Sequence, residues 1–238
     1  MNREALLSED YHVHSTFSDG ANSVEDNIRQ SELLGLSHLG CVDHVRRDSS
    51  YLSGYLDEIE SWRTRTPVRL TAGIEAKIMS VDGSLDLPDD TKGVDLVYVA
   101  DHQYPWDEGP VHPRVVRDWI SNGNATSQRC IDSLVNATIN AMTRNASRHS
   151  LVLAHLFSIL PKVGLSENDV TDAEISRIAR GARDSGTVVE ISERWRCPSA
   201  RVMRAMKADG VKIVCSTDSH SSDRIGRYDY VSLTLQDL

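Results

Sequence analysis

Nine histidines are spread over the 238-residue chain, and six of them recur in one kind of place, at or just past the end of a short apolar run. His12 and His14 close YHVH, His44 closes LGCVDH, His102 closes YVADH, His155 closes LVLAH and His220 closes CSTDSH. Acids fall at matching places: Asp19 in STFSDG, Glu75 at the end of AGIE, and Asp218 two residues before His220. Imidazole with carboxylate is a donor set for zinc, manganese or iron, and the absence of cysteine from it argues against a soft structural site. Nine such donors exceed what one tetrahedral ion needs, so two or three ions are expected. His38, His112 and His149 lie outside the pattern and read as structural or surface residues.

Such donors need a scaffold that brings several strand ends together. Runs rich in Val, Ile, Leu and Tyr, bounded by Gly, Pro, Asp or Ser, occur at about 9–14, 38–43, 69–76, 94–100, 151–156, 187–192 and 212–217. Amphipathic stretches of helical spacing lie between them. One is SVEDNIRQSELLG, with Ser23 as N-cap and Gly35 as stop; others begin at Ser53, Ala125, Ser166 and Ser199. Strand–helix alternation repeated seven times predicts an α/β fold with a mainly parallel sheet, closed or nearly closed as a barrel with helices outside. In such barrels active-site side chains converge on the C-terminal rim, where these histidines fall. His12 and His14, two apart on a strand, face the same way and can meet one ion. No linker or low-complexity tract divides the chain, so one domain over 1–238 is expected. The irregular stretch 102–124, with three Pro and two Trp, is either a loop over the site or a surface excursion with a short helix at 113–121.

These motifs together resemble the PHP family, named for polymerase and histidinol phosphatase. The resemblance runs nearly the whole length, through HVHSTFSDG (12–20), VDH (42–44), GIEAKI followed by DGSLDLPDD (73–90), DLVYVADH (95–102), LAHLF (153–157) and STDSH (216–220). It implies a distorted (β/α)7 barrel, TIM-barrel-like, with a trinuclear metal site. The family pattern places the first ion on His12, His14, Glu75 and Asp218. Glu75, His102 and His155 would hold the second, with Glu75 bridging, and Asp19, His44 and His220 the third. Many members carry His where this chain has Asp19, which bears on metal preference. Every position holds a competent ligand, so an active centre is expected, with Glu75, Asp218 and His220 as its catalytic set.

Three divalent ions (Zn, Mn or Fe) against the charges of Asp19, Glu75 and Asp218 would leave a pocket of roughly +3, suited to phosphate. A hydroxide bridging two ions would be the nucleophile, because coordination lowers the pKa of water to about 7. No G-x-S-x-G elbow competes with that chemistry. After the sixth strand, VVEISERWRCPS sets Arg194 and Arg196 on the same rim, and in PHP histidinol phosphatases the corresponding loop supplies a phosphate-binding arginine. Arg194 or Arg196 is therefore expected to grip phosphate through its planar fork. Arg46 and Arg47 are second candidates, Lys77 lies near the pocket, and Glu190 is placed to orient a ligand.

The expected activity is hydrolysis of a small phosphomonoester, histidinol phosphate- or nucleotide-like. A nucleic-acid 3′-phosphoesterase or 3′–5′ exonuclease, a hydrolase of a non-phosphate bond, and a non-catalytic metal module are the alternatives. Formal charge is −9, from 26 Lys+Arg against 35 Asp+Glu, and aromatics make up 5%, which weighs against a nucleic-acid surface. Hydrophobic residues at 39% and charged residues at 26% are ordinary for a globular protein. No apolar run approaches the roughly 20 residues of a membrane span, and the start has no signal-peptide core. Four scattered cysteines without a C-x-x-C pair point to a reduced, cytoplasmic setting.

Overall fold

Strands of a parallel sheet are buried on both faces and so read as near-continuous apolar runs. The computed structural model, which describes residues 3–238, pairs those runs in chain order. α1 (Arg3–Leu7) leads into β1 (Glu9–Val13), followed by α2 (Val24–Leu34), β2 (His38–His44), α3 (Leu52–Trp62), β3 (Arg69–Lys77) and β4 (Leu96–Ala100). A hairpin of β5 (Tyr104–Trp106) and β6 (Gly109–Val111), then α4 (Pro113–Ser121) and α5 (Ser127–Asn145), precede β7 (Leu151–Leu153). The chain closes with α6 (Asp172–Ser185), β8 (Val188–Ser192), α7 (Ala200–Ala208), β9 (Ile213–Ser216) and α8 (Tyr230–Gln236). The main sheet runs β1-β2-β3-β4-β7-β8-β9 with parallel neighbours.

The seam between first and last strand makes this a distorted barrel. Val13 bridges Ser219, and His14 N–H donates to the Ser219 carbonyl at 2.8 Å. Deeper in the seam a side chain replaces the ladder: the Asp10 carboxylate accepts from Thr217 N–H at 2.9 Å, Thr217 Oγ at 2.6 Å and Gly226 N–H at 3.0 Å. The β1–β2 register also shifts between Asp10 and Val13. There the Tyr11 carbonyl presses against Gly40, where a Cβ would lie 2.2 Å from its oxygen, so only glycine fits.

Two apolar layers result. Tyr11, Val42, Tyr98, Ala100, Val152, Ala154 and Val214 fill the barrel interior, while the larger cluster, including Ile28, Leu39, Ile59, Ile74 and Ile178, joins sheet to helices. Helix ends follow their sequence signals. Ser23 and Asp26 form a capping box on α2, Gly35 ends it at φ 67°, and Thr171 with Glu174 caps α6. The fifth run is shorter than the sequence implies: β7 stops at Leu153, and the chain turns before reaching His155. Segment 102–124 folds as the β5–β6 hairpin plus α4, with Pro113 at the first helical position as its fixed φ favours. No helix among the described residues is long and apolar enough to cross a membrane, and the four cysteines are free and buried.

Candidate metal centre

Glu75 lies two residues before the end of β3 at the C-terminal rim, buried, and five imidazoles surround it. Its Oε2 lies 2.8 Å from His44 Nδ1 and 3.7 Å from both His12 Nε2 and His14 Nε2. Its Oε1 lies 3.0 Å from His102 Nε2 and 2.8 Å from His155 Nε2. Asp218 Oδ1 sits 3.3 Å from His14 Nε2 and 3.5 Å from His220 Nδ1. Asp19, from the loop after β1, reaches His220 Nε2 at 3.3 Å and His44 Nε2 at 3.4 Å. All nine residues singled out from the sequence therefore meet in one place.

Three groups bring donor atoms within 4.8 Å of one another: His12, His14 and Asp218; His44, Glu75 and His102; and His14, Asp19, His44 and His220. The partition differs from the expected one in two respects. His14 and His44 each stand in reach of two groups, and His155 meets Glu75 without completing a three-residue group among the described residues.

The chemistry of the donor set fits divalent ions. His12 Nε2, both His14 nitrogens, Glu75 Oε2 and Asp218 Oδ1 are buried and make no hydrogen bond. Each such atom costs about 1–3 kcal/mol if nothing meets it, so five at one point call for a shared partner. Their separations of 3.3–3.7 Å are close to the roughly 3.4 Å edge of a tetrahedron with 2.1 Å bonds. Burial opposes charge on Glu75 and Asp218, yet neighbouring imidazoles hold both carboxyls below their usual range. Asp19 is lowered too, so three anions face the centre. Burial drives His14 down to about 4, leaving that ring a neutral ligand.

A second layer fixes these donors. Glu190 on β8 accepts from the His155 backbone N–H at 2.7 Å and pairs with His12 Nδ1 at 3.0 Å, which turns the His12 Nε2 lone pair to the centre. The sequence marked Glu190 as inward, but gave less notice of three others. The Trp195 indole N–H donates to Asp218 Oδ2 at 2.6 Å. Asp43 accepts from Ser15 N–H at 3.0 Å and Ser15 Oγ at 2.6 Å, holding the loop that carries Asp19. Asp101 receives Ser158 Oγ at 2.9 Å, and that hydroxyl also meets His155 Nδ1 at 2.9 Å. Asp43 and Asp101 each precede a histidine in VDH and ADH, the one signal that could have flagged them. His155 and Asp218 adopt φ of 27° and 51°, a region non-glycine residues avoid, which the enclosing contacts must sustain.

The arginines separate clearly. Arg194 reaches His220 Nδ1 at 2.5 Å and lines a cleft with Asp218. Arg196, at φ 52°, turns away and lies 5.3 Å over the Tyr230 ring. Arg46 and Lys77 line a smaller recess with His44, Glu75 and His102. The Arg47 backbone N–H is fixed by Asp86 at 3.1 Å. His38 is held by Thr71 Oγ at 2.6 Å, away from the centre, while His112 caps α4 by accepting Arg114 N–H at 3.2 Å.

A protein of Acetivibrio thermocellus called "Probable phosphatase" is 23% identical over 96% of this chain and 86% of its own length. The "DNA polymerase/3'-5' exonuclease PolX" of Bacillus subtilis is 23% identical over 91% of this chain, which spans only 35% of that protein. Among solved structures, histidinol phosphate phosphatase from Lactococcus lactis, complexed with zinc, L-histidinol and phosphate, superposes with a TM-score of 0.65 at 16% identity. That match covers 96% of this chain and 90% of the other and shows a shared fold. The family model described as PHP domain matches residues 10–193, and the chain belongs to that family.

Proposed function

We propose that the protein is a metal-dependent phosphoesterase hydrolysing a small phosphomonoester, histidinol phosphate- or nucleotide-like, at a centre of three divalent ions. The observation that carries this reading is the meeting of five buried, unbonded donor atoms of His12, His14, Glu75 and Asp218 at one barrel rim. His12, His14, Glu75 and Asp218 would hold one ion; Glu75, His102 and His155 a second; Asp19, His44 and His220 a third. Ions bound there supply Lewis acidity toward phosphoryl oxygens and acidify water.

The chain's own residues do the positioning. Glu190 fixes the tautomer of His12, and Trp195 orients Asp218. Arg194, beside Asp218 and His220, binds a phosphoryl oxygen through its fork, without a proton to lose. Arg196 has no such part, given its place over Tyr230. The phosphatase names among its relatives, and the phosphate and L-histidinol held by the Lactococcus lactis protein, support the substrate class.

The test is turnover of p-nitrophenyl phosphate by chelator-treated protein after adding back Zn²⁺, Mn²⁺ or Fe²⁺, with Asp218→Ala alongside. Metal-restored hydrolysis that Asp218→Ala abolishes is the expected result. No hydrolysis with any ion would overturn the reading. The PolX relative favours a second reading, a 3′-phosphoesterase or exonuclease on nucleic acid. A 3′-phosphorylated oligonucleotide cleaved far faster than p-nitrophenyl phosphate would select it.

A further inference from the structure

Beside the metal centre, on the His102 side, lies a cleft of about 790 Å³ walled by α4 and by the turn that carries Lys162. Arg114 and Arg117, three apart on α4, share one helix face. With Lys162 they set three cations on this cleft against the single carboxylate of Asp118. Other clefts differ. The one beside Asp218 balances Arg194, Arg224 and Arg227 with Glu193, Asp218 and Asp229. Another, along α3, sets Asp57, Glu60 and Asp90 against Lys92 alone. In a chain of net charge −9, the His102 cleft is thus a local reversal of sign.

The three cations are also unneutralised. Arg29, Arg63, Arg69, Arg144 and Arg201 each meet a carboxylate. Arg114 and Arg117 have no ion pair among the described residues, and Lys162 rests 4.3 Å over the Trp195 ring. His112 adds a donor to the same wall. Its Nδ1 accepts the Arg114 N–H, so the neutral ring carries its proton on Nε2.

We infer that this cleft is a second anion subsite, and that the physiological substrate is a bisphosphate. One phosphoryl group is hydrolysed at the metals while the other is held by Arg114, Arg117 and Lys162. The inference rests on the phosphoesterase reading. A net +2 wall matches a phosphomonoester, which carries about −1.5 to −2 at neutral pH, better than a single carboxylate. Two guanidinium forks on one rigid helix suit its oxygens.

A series of α,ω-alkanediol bisphosphates with three to six carbons, each compared with its monophosphate, tests this on the metal-loaded protein. At least one chain length is expected to exceed its monophosphate tenfold or more in kcat/KM. Arg114→Ala/Arg117→Ala should reduce that ratio below about threefold, while Arg180→Ala, removing one charge from the exposed face of α6, should leave the ratio as it is. Calorimetric binding of the matching bisphosphonates, which do not turn over, should show the same tenfold preference and the same loss. Hydrolysis of monophosphates without preference for any bisphosphate would overturn the subsite and leave the phosphoesterase reading intact. No turnover of any ester would overturn that reading, and the bisphosphonate titration would still decide the subsite. A preference that survives the double substitution would also overturn it.

Discussion

Replacing Glu190 by Gln probes how the buried second layer sets metal affinity. The carboxylate is fully buried and receives two donors, the His155 backbone N–H at 2.7 Å and His12 Nδ1–H at 3.0 Å. Glutamine has the same shape but only one acceptor oxygen. Whichever way the amide turns, its NH2 group faces an N–H, and one buried donor is left unmet at a cost of about 1–3 kcal/mol. If the amide oxygen keeps the backbone N–H, His12 loses the partner that fixes its tautomer, and its Nε2 no longer presents a lone pair to Glu75 and Asp218. Loss of a comparable carboxylate behind a metal-bound imidazole weakens affinity about 10–100-fold, or about 1.4–2.7 kcal/mol. Competition of wild type and Glu190→Gln against a chromogenic chelator measures this directly, with circular dichroism reporting the fold. Zinc affinity within about twofold of wild type in a folded variant would show that Glu190 does not set it.

Metal removal should lower the melting temperature. An ion at 100 times its dissociation constant stabilises by about 2.7 kcal/mol, which in a protein of this size corresponds to about 5–10 °C in a thermal scan with and without chelator. Arg194→Ala should raise KM for p-nitrophenyl phosphate about 10–100-fold, the loss of a charge-assisted pair, while elemental analysis shows the ions retained. His38 is buried against Thr71, and burial lowers its pKa to about 3. The unfolded chain takes up that proton below about pH 6.5 and the folded chain does not, so stability is lost as pH falls below that point, by about 2 kcal/mol between pH 6.5 and 5. Urea unfolding of metal-free His38→Gln should lack that increment; an identical acid slope in both proteins would count against it.

Much of this site was legible because each ligand ends an apolar run, and a parallel barrel gathers such ends on one rim. His12, His14, His44, Glu75 and His102 needed only that rule. His155 reaches the rim through a turn at positive φ after β7 has ended, which strand periodicity cannot show. The supporting carboxylates depend on distant partners: Asp10 meets Thr217 across the barrel seam, and Asp101 meets Ser158. Alternation along a strand left Arg194 and Arg196 equivalent, and the backbone at Arg196 decides between them by turning it onto Tyr230. Helix α4 announced itself through Pro113, whereas the hairpin before it has a proline in each strand, Pro105 and Pro110, which hides its strand character. Its role as a wall beside His102 emerges only once β4 and α4 are placed together.

The metal content of the purified protein, measured by elemental analysis beside Glu75→Gln and Asp218→Ala, reads the three-ion assignment directly. Glu75 stands in contact with five imidazoles, so its loss should remove more ions than any other single change. The three-ion assignment predicts two to three divalent ions per wild-type chain, no more than one in Glu75→Gln, and at least one fewer than wild type in Asp218→Ala. A wild-type chain that binds less than one ion after reconstitution, or variants that keep the full complement, would contradict it.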